Sequence, residues 1–133
     1  MKKQSRLLDP AGLPKMSETL LRFARPLLDQ LPAPPTTNQL QSAMTIASLI
    51  WNVPEYERAA HPKAAEYRKA LDRAVADMPA EGREVIVAMA HERATTYESD
   101  PRVAFAEVVA GASGRAEVRA TAILLTPSLA QRG

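Results

Sequence analysis

The sequence predicts an α+β fold in which about four helices precede a C-terminal two-stranded antiparallel β-hairpin. Between residues 16 and 97, apolar side chains recur at the three- and four-residue spacing of helices, and prolines separate the segments. Over residues 103–124, apolar and polar side chains alternate on both sides of the turn Gly111–Gly114. The chain of 133 residues has the length of one domain, so we expect a single compact unit over residues 16–126.

The two ends of the chain lack such periodicity. Residues 1–15 combine an excess of lysine and arginine with prolines and a glycine, which predicts a flexible basic arm, and residues 127–133 form a short tail. The first residues lack the apolar run of a secretory signal peptide, and no stretch approaches the roughly 18 apolar residues of a membrane span. These features predict a cytoplasmic protein without a membrane partner.

The first helix is predicted to begin after Ser17, whose hydroxyl is a suitable N-cap. Apolar side chains then follow one face from Leu20 to Leu31. Pro26 lies within this helix, where it removes one hydrogen bond and should produce a kink. The prolines that follow, up to Pro35, should end the helix because proline disfavours helical geometry in the preceding residue.

The second helix is predicted to start at the capping residues 36–38 and to run through Trp51. Apolar residues cover much of its circumference, so we expect it to be the central and most buried helix. The segment Asn52–Pro54 is expected to stop it.

Two more helices are expected before the hairpin. The third follows Pro62 and ends at Pro79, and the fourth runs from there to about Tyr97. The apolar run Val85–Ala90 also suits a buried strand, but the long polar continuation after it favours a helix.

The hairpin is predicted to have a four-residue turn, which places Val109 opposite Ala116. In that register Phe105 faces the core, whereas Arg102 and Arg119 lie on the opposite face. An isolated two-stranded hairpin is only marginally stable in water. It must therefore lie on the helices, or pair along an edge with a second chain to give a symmetric dimer.

The group that most resembles general acid–base chemistry is His91 with Glu84 and Glu92. On a helix, Glu84 and His91 lie two turns apart on one face, whereas Glu92 is rotated by about 100°. A histidine beside a carboxylate could act as a general base. The alternative is a solvated helix end with a surface histidine, because no nucleophile or glycine-rich loop lies nearby in the sequence.

No metal or cofactor site is predicted. The chain has no cysteine, which excludes disulfides, thiolate zinc sites and cysteine nucleophiles. Glu57 and His61 have the i, i+4 spacing of two helical ligands, but nothing extends them to a full coordination shell. The turn Gly111–Gly114 lacks the lysine and the following helix of a phosphate-binding loop.

Four residues are candidates for binding a partner: Trp51, Tyr56, Arg102 and Arg119. The two aromatic residues are either core residues or anchors of a protein interface. The two arginines could form a basic patch for nucleic acid or an acidic partner, although Glu107 and Glu117 would neutralise much of it.

We therefore predict a non-catalytic protein-interaction or assembly module, homodimeric or part of a larger complex. The basic arm and the hairpin arginines leave a nucleic-acid-binding accessory protein as an alternative, although the net charge is only +2. A small enzyme with His91 as its general base is the third hypothesis.

Overall fold

The structure, a computed structural model, describes residues 15–110 and 116–125. It contains four helices followed by a two-stranded antiparallel sheet, which confirms the predicted α+β class. In chain order these elements are α1 (Met16–Leu28), α2 (Thr37–Arg58), α3 (Ala64–Ala76), α4 (Ala80–Thr95), β1 (Arg102–Ala110) and β2 (Ala116–Leu124). The predicted arm (apart from Lys15), the whole of the predicted turn Gly111–Gly114 and the predicted tail lie outside the described residues.

Helix α2 is the centre of the core, as predicted. Its first turn is fixed by a capping box in which the Gln39 N–H donates to the Thr36 hydroxyl and the Thr36 N–H donates to the Gln39 side chain, at 3.1 and 2.8 Å. The side chains of Met44, Ile50 and Trp51 are buried in the main hydrophobic cluster. Helices α1, α3 and α4 and strand β1 all contact α2.

The predicted end of the second helix at Asn52–Pro54 is wrong, because α2 continues through Pro54 to Arg58. A proline inside a helix costs about 3 kcal/mol through its missing N–H and its ring. Here Val53, Glu55 and Tyr56 are buried around it, so packing with the rest of the fold outweighs this local cost.

Helix α2 ends in a Schellman motif at Ala60. The N–H of His61 donates to the carbonyl of Tyr56 at 2.9 Å, and the N–H of Ala60 donates to that of Glu57 at 3.1 Å. Ala60 has φ 52°, the left-handed conformation that favours glycine.

We expect Ala60→Gly to raise the free energy of unfolding by about 0.5–1 kcal/mol, because glycine removes the steric cost of this conformation. Urea unfolding followed by circular dichroism measures the change. An unchanged or lower stability would contradict the assignment of strain to Ala60.

The other helices agree with the sequence pattern apart from their ends. Helix α1 begins at Met16 without a side-chain cap, one residue before the predicted cap Ser17, and ends at Leu28. Segment Val85–Ala90, which could have been a strand, lies inside helix α4.

The register of the hairpin differs by one residue from the predicted register. Ala110 lies opposite Ala116, so five residues separate the strands instead of four. Val109 therefore pairs with Glu117. The slip leaves the inward face of β2 as predicted and reverses that of β1, because side chains alternate along a strand.

Two residue assignments are corrected by this register. Phe105, predicted to face the core, is exposed, and Arg102, predicted on the outer face, is buried. Small side chains line the inner face instead, and Ala104 lies opposite Ala122 against the hydrophobic cluster. Alanine at these positions lets α1 approach β2 closely.

Candidate interaction surface of the hairpin

Helix α2 covers the edge of β1 that faces away from β2. The Asn52 side chain donates from Nδ2 to the carbonyl of Ala104, and its Oδ1 accepts from the N–H of Ala104, both at 2.7 Å. A primary amide that binds both groups of one residue replaces the hydrogen bonds of a neighbouring strand.

Gln41 and Trp51 extend this cover along the same edge. The N–H of Val108 donates to Gln41 Oε1 at 2.8 Å, and Gln41 Nε2 donates to the carbonyl of Ala106 at 3.4 Å. The indole N–H of Trp51 donates to the carbonyl of Arg102 at 2.7 Å. The backbone groups along this edge of β1 are thus hydrogen-bonded to side chains of helix α2.

The geometry of the ladder then determines which groups of β2 face outward. Since the backbone groups of Ala104 point to α2, its pair with Ala122 is a non-hydrogen-bonded pair, and hydrogen-bonded and non-hydrogen-bonded pairs alternate along an antiparallel ladder. The N–H and C=O groups of Val118, Ala120 and Ala122 therefore point away from β1. Within residues 15–110 and 116–125, no backbone hydrogen bond outside the hairpin ladder reaches these groups.

A buried arginine fixes the position of the hairpin on the helices. Arg93 is only 2% exposed, and its guanidinium lies 4.0 Å from the centre of the Trp51 ring. It donates to the carbonyls of Trp51 and Asp100 at 2.9 Å and to the carbonyl of Tyr97. These bonds join α2, α4 and the segment that leads into β1.

Carboxylates lie next to this arginine. Glu55 Oε1 is 3.6 Å from Arg93 and 2.8 Å from Arg58. Burial lowers the pKa of Arg93, and the charges of Glu55 and Asp100 oppose that shift.

The first residue of β1 is held by a second buried ion pair. Arg102 and Asp100 form a salt bridge of 2.7 Å between side chains that are almost fully buried, and the N–H of Arg102 donates to Asp100 Oδ1 at 3.1 Å. Arg102 therefore has a structural position at the base of the hairpin.

Only one of the four predicted partner-binding residues is exposed. Trp51 and Tyr56 are buried along with Arg102, and they belong to the interior of the protein. Arg119 is exposed on the outer face of the hairpin, opposite Glu107. The structure does not bring the four residues together on one surface.

The hairpin carries three of the five large apolar side chains that are exposed among the described residues. They are Phe105, Ile123 and Leu124, which are 45%, 45% and 59% exposed. The other two, Leu21 and Val87, lie on separate helices. The hairpin is thus where exposed apolar area and outward-facing backbone groups coincide.

The three candidate catalytic residues do not converge. His91 is exposed and lines none of the four cavities described among residues 15–110 and 116–125. Glu84 lies in a shallow depression beside Val87, and Glu92 lines a different cavity beside Tyr97. No shared cleft holds the histidine and a carboxylate in this part of the chain.

Two cavities beside α2 are uncharged where the structure describes their lining. One, of about 190 Å³ between α2 and β1, contains Tyr56, Tyr67 and Phe105. Burial, together with the neighbouring Tyr67, raises the pKa of Tyr56. The other, of about 410 Å³, lies between α1, α2 and the start of α4 and has only apolar and neutral polar residues. Neither described lining contains a histidine or a carboxylate for acid–base chemistry.

The two residues with the spacing of helical metal ligands, Glu57 and His61, have other partners. Both carboxylate oxygens of Glu57 accept hydrogen bonds from Arg68, at 3.0 and 2.9 Å. His61 Nδ1 accepts from the N–H of Lys63 at 3.0 Å. The described residues contain no cluster of three or more potential ligands, and none of their helices has the length and hydropathy to cross a bilayer.

Sequence reasoning missed the side chains that organise this surface: Gln41, Asn52 and Arg93. Asn52 had one local signal, since it is an amide within an otherwise apolar part of α2. The proline two residues later favours a helix end at Asn52, and this obscured the signal.

Comparisons with protein-family models, with curated proteins and with solved structures found no match.

Proposed function

We propose that this protein is a non-catalytic interaction or assembly module that binds a protein partner along the β2 edge of its hairpin. The observation that carries the proposal is the asymmetry of the two edges. Side chains of α2 occupy the edge of β1, whereas no described residue outside the hairpin forms a backbone hydrogen bond to the outward-facing groups of β2. An edge of this kind favours the addition of a strand.

The exposed apolar side chains support the same site. Phe105 and Ile123 lie on the outer face of the hairpin, and Leu124 lies at the end of β2. A strand added at β2 supplies backbone hydrogen bonds, and the apolar side chains at the end of β2 would contribute hydrophobic area where the added strand reaches them. The alternative functions lack such support, because Arg102 is buried and His91 has no cleft in the described part of the chain.

A proline substitution tests the edge without removing a bond of the hairpin. The N–H of Ala120 points away from β1, so Ala120→Pro blocks an added strand and leaves the β1–β2 ladder intact. The N–H of Thr121 belongs to the ladder, so Thr121→Pro is the matched variant that should unfold the hairpin.

We expect the tagged wild-type protein to retain a protein partner at constant stoichiometry during purification from its host. Ala120→Pro should lose this partner and keep the wild-type circular dichroism spectrum. Light scattering and mass spectrometry of the same peak identify what is bound. Retention of the same partner by Ala120→Pro, or a wild-type protein that binds neither a second copy of the chain nor a different protein, would contradict the proposal.

A further inference from the structure

We infer that the partner at the β2 edge is a second copy of this chain, paired antiparallel about a two-fold axis at Val118. This inference rests on the proposed function and adds the identity and register of the partner. The result is a continuous four-stranded sheet in the order β1–β2–β2–β1. An interface of this kind is self-complementary, because the same strand serves both copies.

The charge pattern of β2 supports this pairing. With the axis at Val118, Glu117 of each copy lies opposite Arg119 of the other copy, so two pairs of opposite charge form across the interface. Within one chain Arg119 already lies opposite Glu107. The row across the new sheet therefore reads Glu107, Arg119 and then the second copy's Glu117, with charges that alternate in sign.

The neighbouring registers lack this complementarity. An axis at Glu117 places Glu117 opposite the second copy's Glu117, and an axis at Arg119 places Arg119 opposite the second copy's Arg119. Like charges directly opposite are destabilising. An axis at Ala120 places Arg119 opposite Thr121 and leaves both charged residues without a charged neighbour directly opposite.

The apolar inner face of the hairpin supports the same axis. Val108 lies opposite Val118 within one chain, and an axis at Val118 continues this row with the second copy's Val118 and Val108. Valine packs well on a pleated, half-buried surface. On either side of this row of valines, Ala120 of one copy lies opposite Ala116 of the other, so small side chains lie opposite small side chains.

The hydrogen-bonding parity of β2 is compatible with this register. The outward-facing groups of β2 belong to even-numbered residues, and an axis at any single residue of the strand, Val118 included, pairs even residues with even residues. Ala116, Val118 and Ala120 of each copy then exchange N–H and C=O bonds with the other copy. The Glu117–Arg119 pairs lie between these bonds, where opposing side chains are closest.

Charge reversal tests the inference in solution. Glu117→Arg and Arg119→Glu each convert both attractive pairs into repulsive ones, so each should raise the dissociation constant of the dimer by about tenfold or more. An equimolar mixture of the two variants restores opposite charges at both pairs and should recover the dimer. Sedimentation or light scattering over a concentration series gives these constants.

The two variants differ in their effect on the hairpin itself. Arg119→Glu also places a like charge opposite Glu107 of the same chain, whereas Glu117→Arg lies opposite the neutral Val109. Thermal unfolding of both variants separates the destabilisation of the hairpin within one chain from the loss of the dimer. Glu117→Arg is therefore the variant on which the conclusion depends.

Disulfide trapping tests the register. The chain has no cysteine, so single-cysteine variants report one contact each. A mixture of Glu117→Cys and Arg119→Cys should form the mixed disulfide under mild oxidation, because a non-hydrogen-bonded pair brings the two positions within disulfide reach. A mixture of Arg119→Cys and Thr121→Cys reports the register centred on Ala120, and preferential cross-linking there would overturn the inference.

The outcomes separate this inference from the proposed function. A wild-type monomer that retains a different protein, and loses it in Ala120→Pro, would overturn the dimer and leave the proposed edge function intact. A dimer that is insensitive to Ala120→Pro and to Glu117→Arg would overturn both. A dimer lost in both variants and recovered in the charge-reversed mixture supports both.

Discussion

Arg93→Ala is expected to lower the free energy of unfolding by about 3–5 kcal/mol, because it removes a buried charge that joins three segments of the fold. The substitution removes the side-chain donor that the carbonyls of Trp51 and Asp100 accept from, and it removes the guanidinium from the Trp51 ring. The buried Glu55 also loses a neighbouring positive charge. Chemical unfolding followed by circular dichroism measures the loss.

Two matched variants make this prediction specific. Arg83 lies on the same helix but is exposed, so Arg83→Ala should change stability by less than about 1 kcal/mol. Arg93→Lys keeps the charge and loses the planar group that reaches several carbonyls, so it should recover only part of the stability. A loss in Arg93→Ala no greater than that in Arg83→Ala would contradict the role assigned to Arg93.

Asn52→Ala is expected to lower the free energy of unfolding by about 2–4 kcal/mol, because the N–H and C=O of Ala104 would be buried without partners. It should also make β1 available for pairing with other chains, since its edge is no longer covered. Unfolding curves and light scattering of the same sample report the two effects.

The control for this variant is another asparagine of α2. Asn38 is exposed in the first turn of the helix, so Asn38→Ala should change stability by less than about 1 kcal/mol. If Asn52→Ala were as stable and as little associated as Asn38→Ala, the Asn52 amide would not be what protects the β1 edge.

The helices could be predicted because their signals are local. Apolar spacing and proline boundaries located all four of them, and the polar residues after Ala90 correctly favoured helix over strand for Val85–Ala90. Pro54 misled the prediction because its cost is local, whereas the contacts that outweigh it come from other parts of the fold.

The hairpin was found from its pattern, but its register was not. Strand β1 has apolar side chains on both faces, with Val103 and Phe105 on one and Ala104 and Val108 on the other. Alternation therefore does not determine which face is buried. A connection longer by one residue was enough to turn the opposite face of β1 toward the core.

The site was harder to predict because its determinants are distant in sequence. Arginine is rarely buried without partners, so Arg93 would be expected on the surface. Its buried partner Trp51 is 42 positions away, and nothing close to Arg93 in the sequence indicated this contact. The cover of β1 by Asn52 likewise joins residues 52 positions apart. The sequence did indicate that the hairpin needed cover or an edge partner, and the structure shows that α2 covers the edge of β1.

Amide hydrogen exchange, followed residue by residue over a range of protein concentrations, tests most directly whether the β2 edge is a binding surface. The N–H of Ala104 should be protected at every concentration because Asn52 binds it. The N–H groups of Val118 and Ala120 should exchange rapidly in dilute protein and become protected as concentration rises, but not in Glu117→Arg. Strong protection of Val118 and Ala120 at the lowest concentration, equal to that of Ala104, would show that the chain covers this edge itself. It would contradict the proposal that the β2 edge is a binding surface.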